Sequence, residues 1–121
     1  MKSLSLLENV EFHPKSPYAE PLFVSDEARV LRFTLRPGQV VQEHNAPHSP
    51  VFVTVLQGRG LFAGADGVGQ SFGPNSLVIF NAGENHSIRA LNEDLVVLLF
   101  LREAPDARST EHHQVGEKYA A

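Results

Sequence analysis

The stretch GQVVQEHNAPHSPVFVTVLQG, residues 38–58, sets the period of the whole chain. Its second half, Val51 to Leu56, is β-branched and aromatic, a composition that favours strand over helix. Pro47 and Pro50 interrupt the part before it, so His44 and His48 are expected in a loop leading into that strand. Upstream, Leu31, Phe33 and Leu35 alternate with Arg32, Thr34 and Arg36, the pattern of a strand with one wet face. Pro37-Gly38 ends it as a turn.

Downstream, Leu61 to Ala63 resumes after Gly58-Arg59-Gly60, and Ala65-Asp66-Gly67 reads as a hairpin-type turn. Leu77 to Phe80 and Ser87 to Leu91 are short buried runs, with Asn92-Glu93-Asp94 as a polar turn behind them. Leu95 to Leu101 is apolar at every position, which predicts a strand buried between two layers. No stretch sustains a 3.6-residue period. Short strands separated by regular turns predict an all-β sandwich or barrel.

The ends differ from this centre. Residues 1–27 read as an N-terminal arm: Leu4, Leu6, Leu7, Val10 and Phe12 fit either a short strand or one helical turn, and Pro14, Pro17 and Pro21 make residues 13–21 extended. Residues 28–102 read as the barrel. The tail, 103–121, has little apolar content beyond Val115 and Tyr119, and is expected to be disordered or to pack on another subunit.

Composition narrows the chemistry. A chain of 121 residues allows one domain with one core. Fourteen acidic against ten basic side chains argue against a nucleic-acid binder, which needs a basic face. There is no Cys, hence no thiolate nucleophile, thiolate zinc site or iron–sulfur cluster. The longest apolar run falls far short of the ~20 residues of a membrane helix, and MKSLSLLENVEF does not read as a signal peptide. A cytoplasmic protein with no membrane or nucleic-acid partner is the expectation.

Six His remain as candidates. Gly38 is followed by five residues and then His44, with Gly58 closing the stretch; in NSLVIFNAGENH, residues 75–86, Gly83 is followed by two residues and His86. In these two motifs the chain resembles the cupin superfamily over roughly residues 28–102. The resemblance implies a double-stranded β-helix, a jelly-roll barrel that brings His44 and His86 to one inner wall. It also implies a homodimer. Two of the four usual cupin ligand positions are replaced, by Ala46 and Val51, and Asn75 and Asn81 stand where the second motif has Gly and Pro.

Two functional readings follow. If the loop curls inward, His48 joins His44 and His86 in a three-His site for a divalent ion (Fe, Mn, Ni or Zn), with open positions for substrate. Otherwise the imidazoles are ordinary interior side chains, and the barrel is a metal-free, non-catalytic cavity for a small molecule. No reaction or substrate is assignable. His13, His112 and His113 read as loop or tail residues, Asp66 as turn solvation, and Ser49 and Ser87 lack the third group of a catalytic triad. The Phe residues at 33, 52, 62, 72, 80 and 100 are expected mostly in the core, with one or two lining a pocket.

Overall fold

A computed structural model describes residues 1–102, apart from the side chains of Glu43 and His44; the tail, 103–121, lies outside the described residues. The elements are all strands: β1 (Tyr18–Val24), β2 (Arg29–Leu35), β3 (Val40–His44), β4 (Val51–Gln57), β5 (Gly60–Ala63), β6 (Gln70–Phe72), β7 (Leu77–Phe80), β8 (His86–Ala90) and β9 (Leu95–Leu101). They form a five-stranded sheet, β1-β2-β9-β4-β7, against a four-stranded one, β3-β8-β5-β6. Every pairing is antiparallel. This is the jelly roll that the alternation and turn spacing predict.

Alternation builds the core. The inward positions Phe33, Leu35, Val53, Val55, Leu95 and Val97 are fully buried at 0% exposure. Phe62, Ile88 and Ala90 meet them from the facing sheet. Two turn positions hold the strands in register. Gly58 sits at φ +81°, and a Cβ there would run into the Asp94 carbonyl oxygen. Asn75, standing where the cupin motif has Gly, takes φ 70°, a left-handed conformation that Asn tolerates better than other side chains.

Several local expectations change. The segment read as an arm contains β1, which pairs with β2 from Tyr18↔Thr34 to Val24↔Arg29. Pro21 is tolerated there because β1 is an edge strand, and the register shifts between Pro21 and Phe23. Residues 1–13 are neither a strand nor a helix; they lie on the outer face of β1 and β2. Arg32 donates to the Leu6 carbonyl (2.9 Å), Thr34 to the Glu11 carbonyl (2.6 Å) and Gln39 to the His13 carbonyl (2.9 Å).

The supposed wet face of β2 is therefore dry: Arg32 and Thr34 are buried, with Arg32 also paired to Glu20 at 2.5 Å. β9 is covered on both faces only in part: outward Val96 is buried at 1%. Its inward residues are buried, but Phe100 is 44% exposed on the outer side. His44 closes β3 and His86 opens β8, so both motif histidines belong to strands, not to the loops between them.

Candidate functional site

The site is assembled by three loops at one end of the barrel. The turn Asn81–Asn85 leads into His86, and the Gly83 amide donates to the Ala46 carbonyl at 2.8 Å, tying this turn to the β3–β4 loop. Asn45 and Asn85 bond side chain to side chain at 2.7 Å across the same gap. Glu84 ties in the third loop: its carboxylate accepts the amides of Asn81 (2.8 Å) and Ala65 (2.9 Å). Those two bonds, the largest influence on the group, hold its carboxyl below the usual carboxylate range.

His86 is buried at 1% exposure, its ring stacked on Phe80 with centroids 4.3 Å apart. Burial is the leading cause that pushes its pKa down; the carbonyl and charge of Glu84 oppose this only in part. The ring is thus neutral at pH 7. Nδ1 lies 3.2 Å from the Glu84 carbonyl oxygen, which can only accept, so the partner assigns the proton to Nδ1 and the lone pair to Nε2.

His44 is the register partner of His86 across β3 and β8, which puts the two positions opposite each other as the spaced motifs imply. The His44 side chain lies outside the described residues. His48 is exposed in the turn after β3. Ala46 and Val51 are buried, at 6% and 1% exposure, and bring apolar wall where a second imidazole and a carboxylate would stand. The four-position ligand set usual in cupins does not fit these residues. Among the described residues, no group of three or more His, Asp or Glu is placed to hold an ion.

Ser49 is committed to structure. Its buried hydroxyl donates to the Pro50 carbonyl and accepts the Arg102 amide, both at 2.8 Å. It anchors the end of β9 and is not a nucleophile in waiting.

Beyond Phe80 the two sheets part. Edge strands β6 and β7 are not bonded to each other, and a cleft of about 400 Å³ opens between them. Its walls are Phe62 and Phe72 from one sheet and Val78 and Phe80 from the other, with Asp66 and Glu84 among the lining residues. Phe62 and Phe72 meet edge to face at 5.7 Å, which fixes both rings. Of the six candidate Phe residues, Phe62, Phe72 and Phe80 border the cleft, the first and last as core residues; Phe33 fills the core, and Phe52 and Phe100 meet on the outer face.

Sequence reasoning missed Glu84 and the three-residue β6. A carboxylate within a turn, two residues before a motif His, is the signal that could have found Glu84. For β6, the sequence between Gly64 and Gly73 shows mostly turn residues and hides the strand.

Comparison with known proteins agrees with this architecture. A cupin-domain family profile matches residues 31–102. Among solved structures, the chain is similar to an RmlC-like cupin protein from Desulfovibrio desulfuricans (25% identity, 84% of this chain and 96% of that one, TM-score 0.78). It is also similar to TT1209 from Thermus thermophilus (20% identity, 87% and 100%, TM-score 0.80). A third is a Klebsiella pneumoniae protein with a double-stranded β-helix domain (18% identity, 86% and 91%, TM-score 0.79). No curated protein matches the sequence. Among the described residues, no helix is long and apolar enough to cross a membrane. With the family profile spanning β2 to β9 and the strands wound as a jelly roll, the chain belongs to the cupin superfamily.

Proposed function

We propose that this cupin is a small-molecule binding module whose ligand enters the cleft between β6 and β7. One observation carries the reading. The cleft, at about 400 Å³, is lined by the half-buried Phe72 and Val78, with the buried Phe62 and Phe80 behind them, and by Asp66, Gln70 and Glu84, a size within the range of small-ligand pockets. The apolar wall at Ala46 and Val51 supports binding over metal chemistry in the barrel. A fragment library followed by amide NMR tests it. Shifts should gather at Phe62, Phe72, Phe80 and Glu84, and Val78→Trp, which fills the cleft, should remove them. Fragments that shift none of these amides, or that bind Val78→Trp equally well, overturn the reading.

A second reading keeps a divalent ion at His44, His48 and His86. It draws support from His86, whose Nδ1–H on a carbonyl leaves Nε2 as the coordinating nitrogen, the arrangement common in metal-bound imidazoles. Metal stoichiometry in untagged protein separates the two. One ion per chain, lost in each of His44→Ala, His48→Ala and His86→Ala, would favour the metal site. Wild-type protein without metal after incubation with Fe, Mn, Ni or Zn salts leaves the binding module.

We further propose that the module works as a homodimer through the outer face of β4, β7 and β9. Leu77, Ile79 and Phe100 are exposed there at 59%, 53% and 44%, and the outward residues Phe52, Thr54, Leu56 and Leu98 carry no charge. Two copies can meet on such a face without like-charge repulsion. Light scattering at micromolar concentration should return twice the chain mass; a monomer mass overturns the proposal.

A further inference from the structure

One outward row of residues crosses the whole five-stranded sheet without a charge. The registers Phe23↔Val30, Val30↔Phe100, Phe100↔Phe52 and Phe52↔Ile79 join β1, β2, β9, β4 and β7 in turn. Phe52 and Phe100 meet edge to face within it, with centroids 6.1 Å apart. Phe23, Phe100 and Ile79 are exposed, so the row is open at both ends and at its centre. The next outward row runs Glu20, Arg32, Leu98, Thr54, Leu77. Its β1–β2 end lies under the N-terminal segment. Lys2 reaches the Leu22 carbonyl (3.4 Å), and the Leu6 and Glu11 carbonyls take bonds from Arg32 and Thr34.

The face is therefore stepped. It is raised by one chain thickness over β1 and β2 and bare over β4 and β7, with β9 in the centre. Leu4 and Leu7 stand on the raised half at 51% and 52% exposure, apolar side chains that gain little from the fold of one chain. Such a face can meet its own copy about two axes. A twofold across the strands stacks segment on segment and props the bare halves apart. A twofold along β9 lays the raised half of each copy over the bare half of the other and fills the gap. We propose that the homodimer forms about a twofold axis along β9, with the N-terminal segment of each copy seated on the bare half of its partner. Phe100 then meets the partner's Phe100, and Phe23 meets the partner's Ile79. Leu4, held between the levels of Leu22 and Arg32, falls over the partner's Leu77 and Ile79. The sheet face spans about 24 by 23 Å; with the relief of its side chains and the added segment, it approaches the ~800 Å² per partner that a stable complex buries. This inference rests on the reading of the outer face as a dimer interface and names the contact that closes it.

The chain has no Cys, so introduced thiols are unique. Leu4→Cys and Ile79→Cys, both exposed at the rim of the face, are made in separate full-length chains, and light scattering checks that each is a dimer. A short bismaleimide, matched to sheets packed about 10 Å apart, is then added. An equimolar mixture should give covalent dimers, up to about half of the protein after random exchange of subunits. Either variant alone should give almost none. Adding Phe100→Asp to both chains should abolish the product, which separates it from linking by collision. Leu4→Asp, at a position the single chain leaves exposed, should weaken the dimer about tenfold on dilution without loss of fold.

Efficient linking of Leu4→Cys to itself would show the axis across the strands and overturn this arrangement while leaving the dimer. So would a dimer whose mixture gives no product. A monomer mass for the wild-type chain removes the dimer reading, and this inference falls with it.

Discussion

The five-stranded sheet has one outer face but two kinds of surface. Over β1 and β2 the N-terminal segment lies flat on the sheet, and Arg32 and Thr34 are buried beneath it at 6% and 1% exposure. Val96 of β9, the register partner of Thr34, is buried with them at 1%, whereas Leu77 and Ile79 of β7 and Phe100 at the far end of β9 face outward and are exposed. The contents are the reverse of what alternation suggests. The polar outward residues Arg32 and Thr34 are dry, and the apolar Leu77, Ile79 and Phe100 are wet. Whether a strand face meets water is decided by what the rest of the chain lays across it. Arg32 can be buried because Glu20 and the Leu6 carbonyl receive its guanidinium.

The largest expected effect is on assembly. Phe100→Asp puts a charge in the middle of the bare half, and light scattering should show the mass falling from two chains to one, with far-UV circular dichroism unchanged. A dimer that survives would show that the bare half is not the interface.

Next comes Arg32→Ala, which should cost about 2 kcal/mol in thermal or urea unfolding, because Glu20 and the Leu6 carbonyl lose their partner. Leu77→Ala in the bare half should stay within about 0.5 kcal/mol in a monomeric background such as Phe100→Asp. Equal costs would erase the contrast between the halves.

The interior supplies a third measurement, independent of both. Burial lowers the His86 pKa below the ordinary imidazole value of 6.5. Below that value the unfolded chain takes up a proton that the folded one refuses, so stability is full above pH 6.5 and declines as the pH falls. The decline ends once the pH has passed the folded pKa. Its slope is at most about 1.4 kcal/mol per pH unit. Unfolding melts between pH 8 and pH 5 should show this fall, and His86→Phe, which keeps a stacked ring against Phe80, should remove it.

The smallest effect separates two threonines. Thr34→Ala should cost about 1 kcal/mol through its bond to Glu11, whereas Thr54→Ala on the bare half should cost less than half of that. Chemical unfolding of the two variants side by side gives the comparison directly.

Much of this architecture was legible in the residues themselves. The alternation at 31–36, the β-branched run at 51–56 and the two spaced motifs gave the jelly roll and the opposed positions of His44 and His86. Period-2 patterning reports which residues share a side, however, and not what lies over that side. Hence Arg32 was expected in water, and Leu95 to Leu101 between two layers. Pro14, Pro17 and Pro21 concealed β1, because proline argues against central strands and says little about edges. In the site, His86 was legible from its spacing, and Ala46 and Val51 as losses of donors. The cleft was not, because Phe62, Phe72, Phe80 and Glu84 come from separate strands and loops and converge only when the sheets close.

Pro21 has a consequence beyond its own strand. An unpaired edge such as that of β1 invites a neighbouring molecule to add a strand, the first step towards amyloid-like stacking. Phe23 and Val24, exposed at 46% and 60%, would make that edge adhesive. Pro21 contributes no N–H, and the register irregularity between it and Phe23 interrupts the straight ladder a newcomer would need. The edge carries its own gatekeeper. Replacing Pro21 with Val would give a smoother strand and, at high concentration, a protein more prone to form thioflavin-positive aggregates.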